Sequence, residues 1–368
     1  MTSTDAATKE RSTLLRRALL KWYRKSQREL PWRSANPQVT SPDPYHVLVS
    51  EAMLQQTQVA TVIDYFKRFM DTFPTIEALG DADEQQVLRQ WQGLGYYRRA
   101  RNLHAAAKCI VDEHDGQVPD NAVALQTLPG IGRYTAGAIA SIAFGQRSPI
   151  VDGNVARVLA RWFAIRKPID DRNTRARLWS LAEQLMPLKR RGMIHGEFNQ
   201  AMMELGATVC SPRDPQCGAC PVKGICDAHN IGKARSLPVT APRRKPKAVQ
   251  HDVIAIERNG TFLFEQRPAR GLWSNMWQLP TTEQKVDSLQ RWANQRFGLG
   301  IEKPCKIGDF RHQTTHRTIS FTVWHTRTKS GRLKCGSGKW RSSNSVDDLP
   351  LARPQQTALG MITNDQSG

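Results

Sequence analysis

Leu128-Pro129-Gly130-Ile131-Gly132-Arg133-Tyr134-Thr135-Ala136-Gly137-Ala138-Ile139-Ala140-Ser141-Ile142-Ala143-Phe144 opens the stretch that decides the fold, and Ser148-Pro149-Ile150-Val151-Asp152-Gly153-Asn154-Val155 closes it. Pro129 fixes one backbone angle, and Gly130 and Gly132 permit positive φ and a close backbone approach. The pattern predicts a tight hairpin at 128–132 running into an apolar helix over about 133–144. Free N–H groups at that helix start make a seat for a phosphate oxygen. Asp152 follows an apolar run and precedes a second helix opening at Gly153-Asn154. A helix N-terminus favours the ionised carboxylate. A phosphate seat leading to a fixed anion points to chemistry on a nucleic-acid backbone or sugar.

The rest of the chain supports a polyanionic partner. Its 368 residues exceed one ordinary domain, so two are expected. The net charge is +20 and the pI about 10.1, far beyond what solubility needs. Residues 1–232 carry 30 basic and 23 acidic side chains, and residues 233–368 carry 23 and 10, so the shorter part is the more basic. Of seven cysteines, four crowd into residues 210–226 and Cys109, Cys305 and Cys335 stand apart. An odd, clustered set argues against a disulfide framework. No run approaches the roughly 20 apolar residues of a membrane span. Met1–Arg11 lacks the apolar centre of a signal peptide. A reducing, cytoplasmic location follows, nucleoid-associated through DNA.

Leu14, Ala18 and Trp22, with Leu15, Leu19 and Tyr23, mark an amphipathic helix over 13–28 whose other face carries Arg16, Arg17, Lys21, Arg24 and Lys25. A Pro-rich loop follows Leu30-Pro31-Trp32-Arg33 and ends at Asp43-Pro44, a helix cap and first-turn proline. In the next helix Glu51 is the single carboxylate of an apolar segment, Tyr45–Leu54. Gln55-Gln56-Thr57-Gln58 then offers amides able to read base edges or enter a base stack. Gly93-Leu94-Gly95-Tyr96-Tyr97-Arg98-Arg99 pairs aromatics with cations, as stacking on bases and neutralising phosphates require. Further helices are expected near 58–71, 82–91, 97–114, 120–127, 153–163, 173–186 and 193–207, with no strand before residue 232.

Cys210, Cys217, Cys220 and Cys226 must share one metal centre. Their spacing holds a single Cys-x2-Cys pair, which leaves zinc and an iron–sulfur cluster both open. Residues 233–250 form a basic, proline-rich linker. Beyond it His251–Glu257 and Thr261–Arg267 read as strands joined at Asn259-Gly260, Ile319–His325 as another strand, and 286–297 as a helix. The expected fold is therefore multi-domain: an all-α part over 1–232, the linker, and an α+β part over 251–368.

With these pieces together, the first part resembles the helix–hairpin–helix DNA glycosylases of the endonuclease III group. The resemblance rests on Ser50–Val59, Gly93–Tyr97, Leu128–Gly132, Val151–Val155 and the cysteine spacing. It implies two helical lobes and a 4Fe–4S cluster held by Cys210, Cys217, Cys220 and Cys226. Members that cut the strand through a Schiff base carry a lysine two residues after the last hairpin glycine; here that position is Tyr134. A tyrosine forms no imine with the sugar. The chain instead resembles the MutY-type branch, monofunctional enzymes that remove adenine mispaired with 8-oxoguanine or guanine in duplex DNA.

The branch implies that Glu51 protonates an everted adenine (at N7) and then handles the water. It implies that Asp152 stays anionic beneath the charged sugar, with Tyr134 and Asn154 as orienting groups. Arg28, Trp32, Arg33 and Gln200 take adenine-pocket positions. Gln56 and Tyr96 intrude at the mispair, while Gly130 and Gly132 sit on backbone phosphate. The C-terminal part resembles a Nudix domain around Arg267–Trp273. Gln295-Arg296 stand where paired magnesium-binding glutamates belong, Trp277 stands where the motif begins with glycine, and Glu283 survives. That implies recognition of oxidised guanine without hydrolysis, through Thr315 and His316 of a loop whose aromatic position is Thr314. A monomer on duplex DNA is expected. Rival readings are a bifunctional lyase, a non-catalytic DNA-binding protein and a nucleotide pyrophosphohydrolase.

Overall fold

The computed structural model describes residues 3–33, 41–188, 193–242, 245–336, 338–346 and 348–365. Residues 34–40 of the Pro-rich loop and Arg243-Arg244 of the expected linker lie outside them. The chain divides into two compact units, residues 1–81 with 102–242, and residues 82–101 with 243–368.

In the first unit, α1 (Ser3–Ser26), α2 (Pro44–Leu54), α3 (Val59–Thr72) and α4 (Ile76–Gly80) come first. The chain then enters the second unit as α5 (Glu84–Gln90) and returns along α6 (Arg98–Glu113). The first unit is completed by α7 (Ala122–Leu125), α8 (Arg133–Ile142), α9 (Gly153–Trp162), α10 (Arg172–Leu185), α11 (Ile194–Thr208) and α12 (Asp227–Asn230). Among the described residues no strand precedes Lys247. The helices fall where the apolar periodicity puts them, with α1 starting earlier than expected and α7 reduced to one turn.

α2 begins as its sequence dictates: Asp43 accepts from the Tyr45 N–H at 2.7 Å, and Pro44 occupies the first turn, where no N–H is needed. The helix is apolar nearly all round, so it is buried on every face and packs between α3 and α8. α8 is buried from Thr135 to Ile142. α11 packs on α1, α8 and α9. Two glycines permit the tight joints. A Cβ on Gly137 of α8 would stand 2.6 Å from the Pro149 carbonyl oxygen, and one on Gly206 of α11 would stand 2.8 Å from Asn154 Cβ. The segment ending in Asp152 is thereby drawn against α8, and the start of α9 against α11.

The second unit holds an eight-stranded sheet: β1 (Lys247–Arg258), β2 (Thr261–Gln266), β3 (Trp277–Gln278), β4 (Thr281–Thr282), β5 (Leu299–Ile301), β6 (Cys305–Gln313), β7 (Arg317–Gly331) and β8 (Lys339–Ser342). Its spine runs β3-β2-β1-β7-β5. β1 and β7 pair in parallel from Lys247↔Arg317 to Glu257↔Arg327. Alternation along β1 sends Val253 and Ala255 into one apolar cluster, with Ala358 and Ile362 of α14 (Arg353–Asp365). Ile254 and Ile256 enter the other, with Ala293 and Phe297 of α13 (Leu289–Phe297). A strand buried on both faces reads as a continuous apolar run, which is the Val-Ile-Ala-Ile of the sequence.

α5 and the turn after it make hydrogen bonds to the sheet and its flanking loops. Asn275 Nδ2 donates to Glu84 Oε1 (2.7 Å), Trp277 Nε1 to Gln85 Oε1 (3.1 Å), and the Leu351 N–H to Gln92 Oε1 (2.9 Å).

Gly137→Ala is expected to cost about 1–3 kcal/mol of stability, because the new methyl meets backbone. Gly132→Ala, at φ −88° with open space before it, is expected to stay within about 0.5 kcal/mol of the parent. Urea unfolding of the two variants checks the pair.

Candidate active site

Glu51 lies in the third turn of α2 and is buried, 5% exposed. Leu48, Val49 and Met53 beside it are equally inaccessible to water. Burial in that setting disfavours the charged form, and the negative charge of Asp152 adds to the effect. A hydrogen bond from Tyr134 and the Arg33 guanidinium pull the other way, and the net result lifts the Glu51 carboxyl from its usual 4.5 to about 7.

Tyr134, in the first turn of α8, contacts two acceptors with one hydroxyl proton: it bonds Glu51, and its O–H lies 3.2 Å from Met203 Sδ. A protonated Glu51 can donate to the Tyr134 oxygen while Tyr134 donates to sulfur. An ionised Glu51 takes the Tyr134 proton instead. Burial and the two nearby carboxylates push the Tyr134 hydroxyl well above its usual value.

Asp152 caps α9, accepting from the Val155 N–H at 2.7 Å and from Asn154 Nδ2 at 3.0 Å. These bonds and the Arg157 guanidinium lower its pKa, as a helix start should, but burial outweighs them and the net direction is upward. Asp152 starts from the lower intrinsic value and receives two direct donors and a cation, against one donor and a cation for Glu51.

Arg28 and Arg33 are held by a residue that no sequence motif marked. Glu204 of α11 is buried, 1% exposed, and accepts from Arg28 Nε (2.6 Å) and Arg33 Nη2 (3.0 Å). The two guanidiniums hold its carboxyl below the ordinary range despite burial. Trp32 is buried edge-on against Phe66, with ring centroids 5.4 Å apart. Gln200 lies one turn before Glu204 on α11, half-buried.

Arg157 of α9 is the second unmarked residue. It donates from Nη2 to Asn154 Oδ1 (2.8 Å) and the Gly206 carbonyl (2.9 Å), and from Nε to the Cys210 carbonyl (2.9 Å). One turn on, Arg161 donates to Cys210 Sγ (3.2 Å) and to the Ser211 carbonyl (2.7 Å). A pattern of arginines inside an apolar helix was visible in Val155–Trp162, but their inward direction was not.

Cys210, Cys217, Cys220 and Cys226 line one cavity and carry no disulfide. Four thiols on one loop, with a guanidinium on Cys210 Sγ, are a donor set that suits a metal centre such as an iron–sulfur cluster.

At the hairpin, the Ile131 N–H returns to the Leu128 carbonyl at 3.2 Å with Gly130 at φ 76°, a type II turn. Gly130 and Gly132 are exposed, and no side chain caps the start of α8. Gln56 takes φ 60° directly after α2, a conformation that costs a side-chain-bearing residue energy. In the second unit Tyr96 does the same at φ 49° and is 50% exposed, its hydroxyl 3.2 Å from Thr315 Oγ1. Thr315 and His316 stand exposed between β6 and β7. Thr314, where an aromatic was expected, closes that turn by accepting from the Arg317 N–H at 3.0 Å. Around the degenerate Nudix motif, Arg296 is paired with Glu265 (2.6 Å) and Arg267 with Glu283 (2.5 Å). Guanidiniums there occupy the carboxylates a magnesium ion would need.

A buried carboxyl on α2 and a helix-capping carboxylate feel each other's charge, with an exposed glycine hairpin between them in the chain. Residues 49–184 match the HhH-GPD superfamily of base excision DNA repair proteins, and residues 252–361 match the NUDIX domain. The chain is 42% identical to an adenine DNA glycosylase of Rattus norvegicus, over 85% of this chain and 70% of the relative. It is 31% identical to an adenine DNA glycosylase of Buchnera aphidicola, over 93% of this chain and 96% of the relative. A thermostable thymine-DNA glycosylase of solved structure, 27% identical, superposes with a TM-score of 0.53 over 61% of this chain and 99% of its own. The chain belongs to the adenine DNA glycosylase family.

The raised Glu51 value has a stability consequence. Folded Glu51 keeps its proton up to about pH 7, while the unfolded chain loses it near 4.5. Stability from this group is therefore fully present below the lower value and lost as pH rises through the upper one. Glu51→Gln cannot ionise. It is expected to be more stable than the wild type by up to about 3 kcal/mol near pH 8 and no different near pH 4, in urea melts. A variant less stable near pH 8 would contradict the assignment.

Proposed function

We propose that the chain is a monofunctional adenine DNA glycosylase, hydrolysing the N-glycosidic bond of adenine mispaired with 8-oxoguanine or guanine in duplex DNA and so initiating base excision repair. The observation that carries this reading is the Glu51–Tyr134–Asp152 arrangement: one carboxyl lifted to about 7 and bonded by Tyr134, and a neighbouring carboxylate held by a backbone N–H and an amide. Two carboxylates in unequal environments are the requirement for glycosidic hydrolysis with one acid and one anion.

Adenine must leave the base stack before its glycosidic bond can be reached. Arg28, Trp32, Arg33 and Gln200 receive it, with Glu204 fixing both arginines. Protonated Glu51 gives its proton to the adenine ring, the C1′–N9 bond breaks, and the electron pair leaves with the base. Ionised Asp152, oriented by Asn154 and Val155, stabilises the positive charge on the sugar. Glu51, now a carboxylate bonded by Tyr134, takes a proton from the water that adds to C1′. Tyr134 has no amine, so strand cleavage through an imine at this position is absent.

Gly130 and Gly132 offer uncapped N–H groups to backbone phosphate, and Gln56 and Tyr96, both held at positive φ, are the groups that enter the duplex. Thr315 and His316 read the opposite purine. Residues 1–232 then act as the excision domain, 233–250 as a basic linker and 251–368 as the recognition domain. Cys210, Cys217, Cys220 and Cys226 would hold a 4Fe–4S cluster, a redox-capable group that also ties the loop 210–226 together. The enzyme acts as a monomer. No helix among the described residues is long and apolar enough to cross a membrane. The unpaired cysteines and the DNA substrate support a cytoplasmic, nucleoid-associated location.

Glu51→Gln and Asp152→Asn are each expected to lose about 10²–10⁴-fold in single-turnover adenine release while retaining affinity for the mispaired duplex. Near-wild-type release by either variant would remove that residue from the reaction. Replacing Thr315 and His316 by alanine is expected to erode the preference for 8-oxoguanine over guanine opposite adenine, with the rate on A·G nearly unchanged. Equal loss on both duplexes would show that the loop binds DNA without reading the base.

A further inference from the structure

We propose that Cys109, Glu113 and His114, at the C-terminal end of α6, form a zinc site separate from the four-cysteine loop. One ligand atom from each of the three, a thiol, a carboxylate and an imidazole, lies within 4.8 Å of the other two, and no other such set occurs among the described residues. None of the three takes part in adenine excision as derived above.

The convergence has a backbone cause. Cys109 and Glu113 are four residues apart and share a helix face, but the next residue of a straight helix would point well away from it. The helix ends at Glu113 instead. The His114 and Gly116 N–H groups both return to the Ile110 carbonyl at 3.1 Å, and Asp115 (φ 51°) and Gly116 (φ 71°) take left-handed conformations. This closure turns the chain back at the helix end, with His114 beside Cys109 rather than on the next face.

The surroundings favour a cation. Asp112 and Asp115 flank the ligands in a chain of net charge +20. A Cβ on Gly116 would stand 2.5 Å from Glu77 Oε1, so a further carboxylate lies over the turn. The helix C-terminus adds its negative dipole end. One thiolate, one imidazole and one carboxylate form a donor set for tetrahedral zinc, with the fourth position open to water. Zinc held there would clip the end of α6 to its turn.

The test uses the full-length protein with its iron retained, incubated with excess zinc sulfate and desalted, with zinc and iron per chain measured by atomic emission. Stoichiometric zinc is expected beside undiminished iron. A Cys109→Ser, His114→Ala double variant is expected to lose that zinc while keeping its iron and its adenine release. Cobalt(II) in place of zinc is expected to give a thiolate-to-metal band that the Cys109→Ser variant lacks. The proposal fails if wild type and double variant retain the same zinc, or if zinc appears only as iron falls, which would place it at Cys210–Cys226.

Discussion

A carboxyl group shut into a seam between helices, with a second carboxyl close enough to feel its charge, is the constraint on which the rest of this molecule depends. Two buried anions at such proximity are costly unless one keeps its proton. The support is uneven: Asp152 has a backbone N–H, an amide and a guanidinium, whereas Glu51 has one phenol and one guanidinium. The difference between the two carboxyls is made of hydrogen bonds rather than of residue type.

Holding that arrangement requires joints tighter than ordinary helix packing. Gly137 lets the Pro149 backbone touch α8, and Gly206 lets Asn154 touch α11. Arg157 then spans from Asn154 to the Cys210 carbonyl, and Arg161 from the next turn to the Cys210 sulfur. Both guanidiniums are buried and hydrogen-bonded, Arg161 to the Cys210, Ser211 and Pro212 carbonyls and Arg157 to Asn154 Oδ1 and the Gly206 and Cys210 carbonyls, which makes burial tolerable. The loop therefore braces the helix whose first residue follows Asp152. In the second unit carboxylates are paired differently: Glu265 and Glu283 are held by Arg296 and Arg267.

Much of this was legible in the chain. Pro129 and the hairpin glycines, the cap at Asp152, the lone Glu51 in an apolar helix and the cysteine spacing each have a local physical meaning that survives folding. The β1 run and the Asn259-Gly260 turn likewise announced the sheet. What stayed hidden depends on contacts distant in sequence. Glu204 looks like any helical glutamate until Arg28 and Arg33, 176 and 171 residues away, converge on it. Arg157 and Arg161 read as surface cations until α9 is seen to be buried on all sides. β6 was missed because it is mostly polar and exposed, and a bulge at Lys306–Gly308 breaks the alternation between its two core-packing residues, Ile307 and Phe310. Around Asp152 the helix start is visible in sequence and the burial is not.

The most direct measurement is the single-turnover rate constant for adenine release as a function of pH, from about pH 5 to about pH 9. With Glu51 as the proton donor, the rate constant falls as pH rises through about 7, following one ionisation. A rate constant that stays level or climbs across that interval would mean that the buried acid on α2 is not the group that protonates the base.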